Sequence, residues 1–188
     1  MPAVSTNDLR NGMSLDLPEG LFSVVEFQHV KPGKGGAFVR TKLKNLRSGA
    51  VIERTYRADE KLEQALIEKR GVQFLYEDGE GFVFMDTNDY EQTTVERSAL
   101  GDAPNYLTEG SSVVLETYNS EVVSVDLPAS VDLEVTETEP GVQGDRVSGA
   151  RKAATVQTGL TLQVPLFVVS GDKIKVDTRT GEYLTRSN

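Results

Sequence analysis

Short β-patterned runs closed by turn-forming residues recur along almost the whole chain, and that spacing limits the fold more than any other feature. Candidate strands are Met13–Leu17, Leu21–Val30, Ala37–Asn45, Val51–Arg57, Val72–Glu77 and Gly81–Met85. They continue as Glu91–Val95, Ser112–Tyr118, Glu121–Asp126, Val131–Thr138, Leu162–Pro165, Lys173–Asp177 and Glu182–Leu184. Hairpin signals separate several of them, as Glu77-Asp78-Gly79-Glu80-Gly81, Tyr118-Asn119-Ser120-Glu121 and Thr178-Arg179-Thr180-Gly181, each rich in residues that accept turn conformations. Helical signals are sparse: Asp59–Arg70 has helical composition, and Glu96–Leu100 is long enough for one turn. Regular strands with little helix predict an all-β protein built of small closed barrels, not a parallel sheet. Seams near Leu62–Glu68 and Leu127–Ser130 divide the 188 residues into units at 1–64, 65–128 and 129–188. A barrel of roughly 60 residues is marginal alone, so some stability is expected from packing between neighbours.

Between Leu21–Val30 and Ala37–Asn45 lies Lys31-Pro32-Gly33-Lys34-Gly35-Gly36. Pro32 fixes its own φ, while Gly33, Gly35 and Gly36 can take turn conformations closed to other residues. Lys34 therefore has almost nothing beside it to pack against. Taken alone, such a tip fits a solvated lysine in a turn, an amine that touches a polyanion, or a lysine that an enzyme modifies. The stem adds to this. Residues 27–52 contain no Asp or Glu but hold Lys31, Lys34, Arg40, Lys42, Lys44 and Arg47. Arg40, Lys42 and Lys44 are spaced by two, which on a strand sets all three on one face, with Val39, Thr41 and Leu43 opposite. A basic ribbon with a basic, glycine-rich tip suits an RNA backbone, where each lysine or arginine that meets a phosphate releases counterions. A charged edge strand kept soluble by its lysines is the plainer alternative.

The formal charge of −9 is unevenly spread. Residues 1–76 carry net +3, residues 77–145 carry 17 acidic side chains against Arg97 alone for net −16, and residues 146–188 carry net +4. A basic head, an acidic middle and a mildly basic tail predict an adaptor that touches a polyanion at its ends. The middle would face solvent or basic proteins.

Much chemistry is excluded. The chain has no Cys and one histidine, His29, so a His/Cys metal cluster or a Ser-His-Asp triad would need His29 to do everything. His29 sits in a β-patterned run and reads as a satisfied strand histidine beside the basic loop. Glu77-Asp78, Glu137 and Glu139 read as solvated charge, and Gly35-Gly36 and Gly79/Gly81 match neither a P-loop nor a dinucleotide fingerprint. The expectation is a protein that is not an enzyme and has no cofactor or metal. Absence of cysteine fits a reducing cytosol. Met1-Pro2-Ala3-Val4-Ser5 lacks a signal-peptide pattern and no stretch approaches 18 apolar residues, so a cytoplasmic chain with no membrane span is expected.

Taken together, Lys31-Pro-Gly-Lys-Gly-Gly-Ala-Phe-Val-Arg-Thr-Lys-Leu-Lys-Asn-Leu-Arg47 resembles bacterial translation elongation factor P. The likeness continues through Tyr76-Glu-Asp-Gly79, Phe84-Met-Asp86, Tyr90-Glu-Gln92 and Glu137-Thr-Glu-Pro-Gly141, then from Val164-Pro-Leu-Phe167 to Ile174-Lys-Val-Asp-Thr-Arg-Thr-Gly-Glu-Tyr183 and Arg186. It covers essentially the whole chain. The resemblance implies an SH3-like (KOW-type) first barrel and two OB-fold barrels in an L-shaped, tRNA-like arrangement. It implies a monomeric factor that binds the 70S ribosome beside peptidyl-tRNA and relieves stalling at consecutive prolines. Lys34 matches the family's tip residue, which reaches toward the tRNA acceptor end and in many members carries a β-lysyl or aminopentanol extension added by a modifying enzyme. The rhamnosylated arginine of other members is excluded by Lys34. Tyr183 and Arg186 match positions that approach RNA in the family, as do Gly144 and Asp145 in a loop near the exit-site codon. That loop departs from the family's Gly-Asp-Thr, reading Gly144-Asp145-Arg146, and the usual Lys-Pro-Ala-Thr is Lys152-Ala153-Ala154-Thr155. Two other classes compete with the translation factor. A generic single-stranded RNA binder would need aromatic stacking platforms beside basic residues. A biotin or lipoyl carrier also presents a lone lysine on a hairpin, but between small or apolar flanks.

Overall fold

A computed structural model describes residues 2–141 and 149–187. It forms three antiparallel sheets. The first contains β1 (Ala3–Ser5), β2 (Ser14–Leu17), β3 (Gly20–Val30), β4 (Phe38–Asn45), β5 (Val51–Arg57) and β6 (Lys61–Ala65), in the order β1-β6-β2-β3-β4-β5. The second holds β7 (Glu68–Asp78), β8 (Gly81–Asp86), β9 (Gln92–Glu96), β10 (Ser112–Tyr118) and β11 (Glu121–Asp126), ordered β11-β10-β7-β8-β9. The third holds β12 (Ser130–Thr138), β13 (Arg151–Val156), β14 (Thr161–Pro165), β15 (Lys173–Asp177) and β16 (Tyr183–Ser187), ordered β14-β13-β12-β15-β16. By contacts the chain groups into two compact units, Met1–Arg70 with Leu115–Ser124, and Gly71–Val114 with Val125–Asn188.

The first core follows from alternation. Leu15 and Leu17 on β2, Phe22 and Val24 on β3, Val39 and Leu43 on β4 and Leu62 on β6 all point inward and are buried. In the middle sheet Phe74 stacks at 5.6 Å from both Phe82 and Phe84 in tilted geometry, which adds to the area buried by each ring. The third core gathers Leu133, Val135, Ala154, Val156, Leu162, Val164, Val168, Ile174 and Val176. Tyr106 joins this third cluster from the short 3-10 turn at Ala103–Asn105, and Thr158 Oγ1 donates to the Asn105 carbonyl at 2.7 Å. Burial pushes the Tyr106 phenol above its ordinary value, with Asp102 and Asp177 adding to the rise.

The all-β expectation holds, and the one-turn helix appears as Arg97–Leu100. The helical composition of Asp59–Arg70 misled. Asp59 takes a positive φ of 65°, Lys61–Ala65 is β6, and β7 begins at Glu68. A helix this short is marginal on propensity alone. Pairing of Leu62 with Val4 of β1 buries an apolar side chain that a solvated helix would leave exposed. Strands β1 and β13 were not foreseen either. The Asn119-Ser120 turn was, and both residues take positive φ, 52° and 67°.

Gly79 and Gly81 flank one hairpin but differ in surroundings. A Cβ on Gly81 would lie 2.6 Å from the Val95 carbonyl oxygen and 3.0 Å from Thr94 Cγ2, whereas one on Gly79 would meet nothing within 4 Å. Gly81→Ala is expected to cost about 2 kcal/mol through forced separation of β8 from β9. Gly79→Ala should stay within about 0.5 kcal/mol of the parent. Urea unfolding of the two variants checks this, and equal midpoints would refute it.

Candidate functional site

The site grows out of the longest hairpin. Cross-strand pairing between β3 and β4 runs from Phe22↔Asn45 to Val30↔Phe38, so the arm is hydrogen-bonded up to its last two residues. Residues 31–36, between the strands, are all exposed. Gly35 has a φ of 101°, a conformation that L side chains rarely adopt. A Cβ on Gly33, Gly35 or Gly36 would find no atom within 4 Å. Lys34 therefore stands on bare backbone, exposed, and among the described residues no hydrogen bond or ion pair holds its amine.

Beneath the loop the arm is braced. The Phe27 and His29 rings meet edge to face at 5.6 Å, and the Arg40 guanidinium lies 5.6 Å from the Phe38 ring centroid. The Ala58 N–H donates to the Ala37 carbonyl at 3.1 Å, tying the loop's end to the chain after β5. Strand β4 alternates as its pattern demands. Val39 and Leu43 are fully buried, Thr41 is buried with its hydroxyl donating to the Arg54 carbonyl at 2.8 Å, and Arg40, Lys42 and Lys44 are exposed.

The basic face is less basic than the sequence of β4 suggests. Antiparallel register sets Lys42 between Glu26 of β3 and Glu53 of β5, the two carboxylates that bound the acid-free stretch. Lys42 Nζ lies 3.3 Å from Glu26 Oε2. Arg40 is flanked instead by Gln28 and Thr55, and Lys44 by Ser23 and Val51. An open cleft of about 330 Å³ follows this region, its lining including Glu26, Gln28, Arg40, Lys42, Glu53 and Thr55. Reading β4 alone could not reveal these carboxylates, because they arrive by pairing from other strands.

The remaining candidates lie in the second unit or beyond description. Gly144 and Asp145, with the neighbouring Arg146, fall outside the described residues. Tyr183 is partly buried against the third core. Arg186 is exposed, its guanidinium 5.4 Å from the Phe167 ring centroid and its Nη1 3.8 Å from Asp172 Oδ2. Among the described residues no group of three His, Asp or Glu side chains could hold a metal ion, and no helix is long and apolar enough to cross a membrane.

About two thirds of the chain shares its fold with solved structures. Solved structures similar to it include the eukaryotic translation initiation factor 5A from Methanococcus jannaschii, 23% identical, covering 64% of this chain and 89% of that one with a TM-score of 0.50. An initiation factor 5A family protein from Naegleria fowleri is 13% identical, covering 67% and 98% with a TM-score of 0.52. Sequence resolves the family. Models of the elongation factor P KOW-like domain, OB domain and C-terminal region match residues 5–62, 67–125 and 131–186. Elongation factor P of Streptomyces avermitilis is 58% identical over 98% of both chains, and that of Moorella thermoacetica 51% identical over 98% of this chain and 100% of the relative. The chain belongs to the elongation factor P family and is a translation factor.

Tyr56 of β5 pairs with Val39 of β4 and packs against the first core. Burial pushes its phenol above the ordinary 10.0, Arg54 pulls it back, and Glu19 and Glu60 raise it again. The folded state thus favours the neutral phenol. That contribution is complete below the unfolded value near 10 and is lost as pH climbs through the raised folded value. Tyr56→Phe is expected to flatten part of the decline in urea midpoint between about pH 9 and about pH 11. Superimposable pH profiles for the variant and the parent would contradict the shift.

Proposed function

We propose that this factor acts on the 70S ribosome beside peptidyl-tRNA and promotes peptide-bond formation between consecutive prolines, with Lys34 reaching the tRNA acceptor end. One observation carries the reading: in an elongation factor P chain, Lys34 stands exposed at the end of a braced two-stranded arm, its amine without a partner among the described residues. Lys31, Pro32, Gly33, Gly35 and Gly36 supply the slender mount, and Arg40 and Lys44 meet RNA phosphate along the stem. Lys42 contributes less because Glu26 already holds it. Gly144, Asp145, Tyr183 and Arg186 are assigned to RNA near the exit site. The chemistry stays with the ribosome. Proline is a poor nucleophile, and ordering the acceptor end against it replaces a search through orientations with a held geometry. Lys34 is also the residue a modifying enzyme would extend, since reach is what the position offers. The factor works in the cytoplasm as a monomer.

Lys34→Ala is expected to leave the urea midpoint unchanged while slowing synthesis through a polyproline reporter on the order of 10²-fold, the usual cost of lost positioning. Full reporter synthesis by the alanine variant would refute the assignment. Intact-mass measurement of natively expressed protein, with peptide mapping across Lys34, shows whether the amine is extended.

A further inference from the structure

The sequence signature around Val164-Pro-Leu-Phe167 has a feature that the arm does not explain. Phe167 is 59% exposed, yet the loop that carries it is tightly fixed. Val168, its neighbour, is fully buried in the third core. The Val168 N–H donates to the Pro165 carbonyl at 3.2 Å, the Gly171 N–H to the Val135 carbonyl at 2.8 Å, and the Val169 N–H to Asp172 Oδ2 at 3.0 Å. Gly141 packs so close that a Cβ there would lie 2.7 Å from the Leu166 carbonyl oxygen. The ring is thus presented to solvent by backbone that has already been ordered.

It is also backed by a cation. Arg186 reaches from β16 to lie 5.4 Å from the ring centroid, and Asp172 steadies its far end at 3.8 Å. Arg186 reaches this position from opposite Ile174 on β15, so Lys173 and Lys175 fall on the other face of that sheet and leave Arg186 as the cation at the ring. An exposed ring on ordered backbone with a guanidinium against it is the arrangement that stacks an unpaired base beside a cation able to meet its phosphate. Charge selects between aromatic candidates. Tyr90 is 70% exposed but belongs to residues 77–145, which carry net −16, and Tyr76, 52% exposed, is followed directly by Glu77 and Asp78. Phe167 belongs to residues 146–188, which carry net +4.

We propose that Phe167, backed by Arg186, is a stacking platform for an unpaired nucleobase of ribosome-associated RNA. This rests on the ribosomal action proposed above and adds a contact made by shape and π-surface rather than by charge. The base comes from ribosomal RNA or from messenger RNA, two sources of one chemistry.

The test measures sedimentation of full-length protein with purified 70S ribosomes across a salt series, using the parent, Phe167→Leu, Phe167→Tyr and Phe167→Ser. Circular dichroism and urea midpoints should match throughout, since the ring is mostly outside the core. Phe167→Leu is expected to bind about tenfold more weakly, as loss of one stacked base predicts, with Phe167→Tyr close to the parent. The slope of log affinity against log salt should be the same for all four, because no charge is removed. A deficit seen only with messenger-programmed ribosomes assigns the base to messenger RNA; one seen also with vacant ribosomes assigns it to ribosomal RNA. Parental binding by Phe167→Leu overturns the platform while leaving the function standing, and if Phe167→Ser alone is weakened the contact is an apolar one to protein. A parent that does not sediment with ribosomes overturns the functional reading and this proposal together.

Discussion

Strand β4 is the member on which the candidate site depends. It is paired on both sides, to β3 and to β5, and its inward residues Val39 and Leu43 are fully buried. Burying such side chains contributes about 1.5–3 kcal/mol each. A slip of one residue would exchange them for Arg40, Lys42 and Lys44, placing three cations in the core. The register is therefore fixed by penalty as well as by gain. A bulge in β3 completes the arrangement. Pairing passes from Val24↔Leu43 to Glu26↔Lys42, leaving Val25 as the extra residue, and then to Phe27↔Thr41. Strict alternation from Val24 would have turned Glu26 inward. The bulge resets the phase, so Phe27 takes the inner side and Glu26 emerges beside Lys42, with the added twist that bulges bring.

Electrostatics then divides the labour between segments. Arg97, the single base among residues 77–145, is spent within its own sheet, 3.3 Å from Glu77 and 5.7 Å from the Phe82 ring centroid. Exposed pairs of this kind contribute about 0–1 kcal/mol to stability, so the greater consequence is that the acidic segment offers no spare cation to a phosphate. The net positive charge is left to the first and last segments, at +3 and +4. Within the first, pairing of Lys42 with Glu26 concentrates the available charge on Arg40, Lys44 and the two loop lysines. Screening over about 10 Å at ordinary ionic strength keeps such local differences meaningful.

The sequence was most legible where one physical rule acted alone. Alternation located most strands and the faces of β4, and the Asn119-Ser120 turn declared itself by residue type. It was least legible where partners distant in the chain decide. Leu62 becomes part of a strand because Val4 lies opposite it, and no property of Asp59–Arg70 carries that information. The same holds for the carboxylates beside Lys42, which flank the basic stretch in sequence and converge on it only through register. Phe167 was visible as part of a signature, yet its exposure and its guanidinium neighbour follow from a loop and a strand brought together by the third sheet.

Arm and tip meet opposite requirements, and the boundary between them is sharp. Pairing persists to Val30↔Phe38, beyond which the backbone has no cross-strand partner until the Ala37 carbonyl accepts from Ala58. Ordering a free residue on binding costs about 1–2 kcal/mol, so a long unpaired tip would erode any affinity that Lys34 brought. Pro32 lowers that cost by fixing one torsion, and the short span between paired ends lowers it further. Glycine works the other way, since Gly33, Gly35 and Gly36 each enlarge the freedom to be lost. What they give in return is a tip without side-chain bulk at three of its six positions. On that balance a gain in contact is cheaper by lengthening the Lys34 side chain than by adding backbone, because the extension leaves the loop's width and its torsions as they were.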